Sequence, residues 1–321
     1  FHLHNDKISY ILSVEEGGYL SHLYFGKKVN GYHGQLRYPR VDRGFSGNLP
    51  ESLDRTYSLD SLLQEYSGVG NCDYRTPALD LQNADGSFAA RLVYQDYEIT
   101  AGKPKLEGLP AAYANADEAQ TLALFLKDAI SGVEVTLLYT IFKELAVIAR
   151  SAKVTNAGVE PVELKKVASM QLDFIKQDMD VISLPGAHAN ERHIQREAIG
   201  QGRKVFESRR GASSHQMNSF IAVLEHNADE FSGEVYGFDL VYSGNHSFEI
   251  EKDQFEQTRV VAGINDYNFS WHLEAGESFQ APEVLLAFSA NGLNEMSQNY
   301  HELIREHIVR GKFKHKEREI L

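Results

Sequence analysis

The stretch Tyr38–Pro77, YPRVDRGFSGNLPESLDRTYSLDSLLQEYSGVGNCDYRTP, gathers the side chains best suited to hold a polar ligand. Asp42, Asp54, Asp60 and Asp73 stand close in sequence to Arg40, Arg43, Arg55 and Arg75. An ionised carboxylate offers about four lone-pair sites and no donor, which suits a pair of adjacent hydroxyls such as those of a sugar. Two carboxyl groups about 5 Å apart would suffice for retaining glycoside hydrolysis. The plainer alternative is that arginine forks bind the aspartates and hold a long loop together. Asp42, in Pro39-Arg40-Val41-Asp42-Arg43, is the best candidate for a free acceptor, because Pro39 stiffens the approach to it.

Other chemistries find less support. Thirteen histidines are scattered, with no HExxH and no Cys/His quartet, so no metal is expected. No glycine-rich nucleotide cradle is present, and no cofactor is expected. Cys72 sits between Asn71 and Asp73, without a cation to activate it. Ser208-Arg209-Arg210-Gly211-Ala212-Ser213-Ser214-His215-Gln216 could be read as a Ser–His pair. Sequence neighbours rarely reach that geometry, and a polar turn or subunit contact explains the run better.

The elements that must carry these residues are mostly strands. Ile8–Leu12 and Tyr19–Phe25 flank a Gly17-Gly18 turn. The excursion follows, with Asp60 expected to cap one helical turn over residues 61–65. Loops of this length in a compact domain are usually functional or disordered. Tyr38, Phe45, Tyr57, Tyr66 and Tyr74 are aromatics that can be buried, and a disordered tract would be poor in them, which favours order. Beyond residue 79, strands are expected at 79–82, 88–100, 120–127, 133–141, 146–154, 162–173, 219–225, 234–242, 247–252, 258–264 and 284–288. Asp85-Gly86 and Asn156-Ala157-Gly158 mark turns. Leu293, Met296, Tyr300, Leu303, Ile304 and Ile308 recur at helical spacing, with Gly311 as the expected C′ residue. The fold class is all-β, a sandwich followed by a C-terminal helix acting as linker or docking element.

Bulk properties fit this. The chain has 321 residues, 42% hydrophobic and 24% charged, as in ordinary globular proteins. A net charge of −13 opposes binding to nucleic acid or to an anionic membrane. No apolar run reaches transmembrane length, and no signal peptide is visible. Since the chain starts at Phe1, residues upstream are expected. One cysteine excludes an internal disulfide and fits a reducing, cytoplasmic setting.

The sequence resembles the N-terminal domain of bacterial family-36 glycoside hydrolases, the α-galactosidases of the lactobacillus and bacillus type. The resemblance rests on Tyr38–Ser46 (YPRVDRGFS), Ser58–Tyr66, Leu184-Pro185-Gly186-Ala187, Glu207–Gln216, Val235-Tyr236-Gly237-Phe238, Val241–Asn245, Pro282-Glu283, Met296-Ser297-Gln298, Tyr300–Leu303 and Arg310-Gly311. It spans essentially the whole chain.

That resemblance implies a β-supersandwich over residues 1–290. Residues 291–321 would be a linker helix and lead-in to a (β/α)₈ barrel outside this chain. The family usually carries Arg-Pro-Ile-Leu where this chain has Arg318-Glu319-Ile320-Leu321. The implied activity is retaining hydrolysis of terminal α-galactosyl residues from sugars of the melibiose and raffinose type. Both reacting aspartates would belong to the barrel, so none is expected here. Asp42 matches an aspartate that reaches galactose hydroxyls. His188 stands where relatives can carry a substrate-contacting Trp, a change that would tune acceptor preference. Relatives of this type are tetramers, and a homotetramer is implied. Two readings compete: a carbohydrate-binding or assembly module outside the active site, and a stand-alone sugar mutarotase using His215 or His246 with Glu207.

Overall fold

Strict alternation of apolar and polar residues over residues 133–137 sends Val133, Val135 and Leu137 into the core. The same rule shapes most of the chain. The computed structural model describes residues 1–49, 52–175 and 178–317, so Arg318-Glu319-Ile320-Leu321 lies outside the described residues. Among these, the strands form antiparallel sheets of three, ten and six strands. The two larger sheets face each other across one core, in which Leu124, Leu137 and Val154 from one meet Leu164, Met170 and Phe248 from the other. This is the expected all-β supersandwich.

The strand Glu283–Ser289 is central in the ten-stranded sheet, paired on one side with Val235–Val241 and on the other with Val147–Asn156. The helix Gly292–Leu303 follows directly and lies on that sheet through Met296, Tyr300 and Leu303. Gly237 makes room for it, since a Cβ there would come within 2.7 Å of the Tyr300 ring. The last turn, Ile304–Ile308, widens to π geometry and stops at extended Val309. Gly311 is therefore not the C′ residue. It has φ +86° but belongs to the next turn, where its carbonyl accepts from Lys314 N at 3.2 Å.

Strands also form at His2–His4, Met179–Pro185, Gln195–Ala198, Gly202–Ser208 and Trp271–Leu273. Most are short, or lie at sheet edges with polar sequences, so the alternation signal is weak. Met179–Pro185 is instead an interior strand paired on both sides. The strand expected at 88–100 begins only at Val93, because Ala90 N bonds Val69 O of the excursion instead (3.1 Å).

The excursion is ordered from its base. Gln64–Thr76 covers the outer face of the six-stranded sheet, where Gln171, Asp173 and Arg259 are nevertheless fully buried. Arg259 donates to both oxygens of Asp173 (2.9 Å each) and to Asp73 (3.0 Å). Arg75 donates to Asp73 at 2.9 Å and to the carbonyls of Leu59 and Leu62 at 2.7 and 2.8 Å. Burial opposes charge on Asp73, but Arg259 and Arg75 outweigh it and hold its carboxyl below the usual range. Glu65 reaches deeper. Its carboxylate accepts from Tyr10 (2.8 Å) and Tyr139 (2.7 Å), with His22 Nδ1 at 2.8 Å and Arg150 at 3.1 Å.

Asp60 does not cap a helix. Ser58 starts the turn instead: its carbonyl accepts from Ser61 and Leu62, and its hydroxyl accepts from Asp60 N at 3.2 Å. The Asp60 side chain accepts from Ser46 and Gln254.

Candidate functional site

The outer half of the excursion stands on a small core of its own, formed by Tyr19, Tyr38, Leu49, Tyr57, Leu59 and Leu62. Two of the excursion's aromatics are missing from the interior. Phe45 is fully exposed at left-handed φ +66°, and Tyr74 is 78% exposed. Tyr38, Tyr57 and Tyr66 are buried. Single exposed aromatics of this kind are ordinary on a protein surface and carry no argument by themselves.

Arg40 folds back over the Tyr57 ring at 4.3 Å and binds Asp54 at 2.9 Å. Hydrogen bonds from Thr56, then Arg40, hold the Asp54 carboxyl below the usual range. Asp54, Asp60 and Asp73 are thus committed to partners within the loop or on the sheet below it. Asp42 is the least engaged of the four. Its side chain is about half exposed, and Arg55, also exposed, approaches to 3.3 Å. An ion pair in that setting is worth about 0–1 kcal/mol, so the carboxylate can exchange it for ligand hydroxyls.

His188 is exposed at the tip of a tight turn in which Ala187 and Asn190 exchange backbone hydrogen bonds at 2.9 Å. Ala189, next to it, has φ +56°. Gly186 N bonds Gln216 O at 3.2 Å, which joins this turn to the Ser208–Gln216 run. The His188 and His215 rings stand 6.3 Å apart, edge to face. Beside them Glu191, Arg192, Ser213, Ser214, His215 and Asn218 line a cleft of about 510 Å³. Among the described residues no hydrogen bond or ion pair joins Asp42 to His188.

Of the residues named for sugar mutarotation, exposed His215 lies 3.1 Å from the Gln216 amide. Glu207 is held by Arg209 at 2.7 Å and Asn265 at 2.8 Å, and His246 is fully buried. Burial lowers the His246 pKa, which keeps it neutral. Among the described residues no group of His, Cys, Asp and Glu is arranged to hold a metal ion. None of their helices is long and apolar enough to cross a membrane.

The fold is an all-β supersandwich with a half-exposed carboxylate on its long excursion. Residues 18–274 match the glycosyl hydrolase family 36 N-terminal domain, and residues 278–321 match melibiase. The chain belongs to glycosyl hydrolase family 36, as its N-terminal part. It is 59% identical over 322 residues to alpha-galactosidase Mel36A of Lactobacillus acidophilus, covering 100% of this chain and 44% of that protein. It is 51% identical to alpha-galactosidase AgaA of Geobacillus stearothermophilus, again over 100% of this chain and 44% of that protein. A crystal structure of a substituted AgaA in complex with raffinose superposes with a TM-score of 0.97 at 50% identity, covering 100% of this chain and 45% of that one. The chain thus spans under half the length of the curated relatives it matches.

Proposed function

We propose that this chain is the non-reacting N-terminal part of an α-galactosidase that removes terminal α-galactosyl residues with retention. Support comes from relatives named as alpha-galactosidases and from AgaA structures in complex with raffinose and stachyose. In this reading residues 1–290 form the sandwich, and residues 291–321 lead into a barrel that supplies both reacting aspartates. One aspartate attacks the anomeric carbon while the other, protonated, releases the leaving sugar and then activates water. The protein works as a homotetramer in the cytoplasm, where its lone Cys72 suits a reducing setting.

The observation that carries the role of this part is Asp42, a half-exposed carboxylate whose ion-pair partner, Arg55, is itself exposed. It accepts from galactose hydroxyls and orients the ring without reacting. His188, on its own turn, contacts the acceptor side of the substrate. In the full-length enzyme, Asp42→Ala is expected to lower kcat/KM on a galactoside by about tenfold or more, with the fold retained. An unchanged kcat/KM would remove Asp42 from the site.

A further inference from the structure

We infer that Tyr38 is a positioning residue for Asp42: its hydroxyl closes Pro39–Arg43 into a bracket that aims the carboxylate. The inference rests on the reading of Asp42 as the sugar-facing group.

Asp42 itself has little to hold it. Its ion pair with Arg55 joins two exposed side chains at 3.3 Å, and such pairs contribute little. The direction of the carboxylate must therefore come from the backbone of residues 39–43, and both ends of that segment meet at one atom. Arg43 Nη1 donates to Tyr38 Oη at 3.2 Å. The same oxygen shares a 2.6 Å hydrogen bond with Ser61 Oγ. The Arg43 guanidinium also lies over the Phe255 ring at 5.2 Å, which ties the far end of the bracket to the turn leading into Thr258–Ile264. Pro39 fixes one backbone dihedral inside it.

The anchor beneath is rigid. Tyr38 is 5% exposed, and its ring meets Tyr57 edge to face at 5.6 Å. Ser61 lies between Leu59 and Leu62, whose carbonyls are both held by Arg75. Arg75 is buried against Asp73, with Asp173 and Asp253 at 3.7 and 3.6 Å. A path thus runs from the six-stranded sheet through Arg75 and the Leu59 and Leu62 carbonyls of the turn that holds Ser61, and from Ser61 through Tyr38 to Arg43. Small displacements of a binding group have large kinetic effects, so the hydroxyl should be felt in catalysis although it touches no substrate.

The test is a double-mutant cycle in the full-length enzyme, with steady-state kinetics on a galactoside and thermal melting as a control. Tyr38→Phe keeps the ring and removes both hydrogen bonds. It is expected to lower kcat/KM about three- to tenfold, and to add nothing when combined with Asp42→Ala. Ser61→Ala, which removes the anchor from the other side, should do the same and carries the test if Tyr38→Phe melts early. A normal kcat/KM for both variants, or losses that multiply with that of Asp42→Ala, would overturn the role of Tyr38. Wild-type kinetics for Asp42→Ala alone would instead overturn the sugar-facing reading, and the bracket with it.

Discussion

Replacing Glu65 with Gln tests the claim that the excursion is held by buried charge. The side chain keeps its shape and loses its charge. Glu65 is 0% exposed and Arg150 is 2% exposed, so water cannot take over for either. Arg150 also donates to Tyr10 at 2.9 Å, Tyr139 at 3.0 Å and the Gln171 carbonyl at 2.6 Å, and it keeps these bonds in the variant. What it loses is the only carboxylate within 4 Å among the described residues. Removing one partner of a buried pair costs about 3–5 kcal/mol. The amide adds a second conflict, because its NH₂ must face a hydroxyl or the guanidinium, where the carboxylate only accepted. Glu65→Gln should therefore lose about 3–5 kcal/mol in urea denaturation at pH 7, a large part of a usual folding free energy of about 5–15 kcal/mol. Glu65→Gln combined with Arg150→Met should cost well under the sum of the two single changes, since no charge is then left unpaired. The pH dependence has a definite sign. Burial pushes the Glu65 carboxyl up, but Arg150, His22 and Tyr139 together bring it below its ordinary value. The stability tied to its charge is complete above the unfolded pKa and is lost as pH falls through the depressed folded one. That acid-side loss should be absent in Glu65→Gln. A variant within about 1 kcal/mol of wild type would show that the hydroxyls and His22, not the ion pair, carry the network.

Two further substitutions probe the seat of the helix. Gly237→Val places carbon within 2.7 Å of the Tyr300 ring and 3.0 Å of Met296 Sδ, and should cost about 1–3 kcal/mol. Hydrogen exchange should speed up over Gly292–Leu303 first, and unchanged protection there would contradict the close fit. Burial pushes the Asp239 carboxyl up to about 6. The folded state then prefers the protonated form, so the associated stability is full below the unfolded pKa of about 3.9 and is lost as pH rises through the folded value. Asp239→Asn should remove up to about 2–3 kcal/mol of that loss and flatten the stability profile between pH 4 and 7. A profile parallel to wild type would rule the group out.

The sandwich was legible where local pattern and burial agree. Residues 133–137 alternate cleanly, and Gly17-Gly18 turns as its two glycines suggest, with φ of +78° and +80°. The pattern misleads on the other face of Val162–Phe174. There Gln171 and Asp173 read as solvent-facing, yet they are buried because Gln64–Thr76 folds over them from about a hundred positions away. No local rule reports such a lid. Arg150, directly after the apolar run Val147-Ile148-Ala149, was the available hint of an internal charge network. Asp42 stood out by its setting in the sequence, and the structure adds why its three companions differ: each is bound within the loop or to the sheet below it. Phe45 and Tyr74 show the limit of composition, which gives what can be buried but not which side of a loop faces inward.

The family match changes from the N-terminal domain to melibiase between residues 274 and 278, ahead of Glu283–Ser289. That strand sits in the middle of the ten-stranded sheet, and its neighbours on both sides come from the earlier match. A cut at the seam would split the sheet and leave the two remaining parts with facing raw edges. The sandwich is thus not a cassette that could be exchanged at that point by gene fusion. Recombination that keeps both halves folded must cross over after the helix, so the sandwich and the first piece of its neighbour are inherited together.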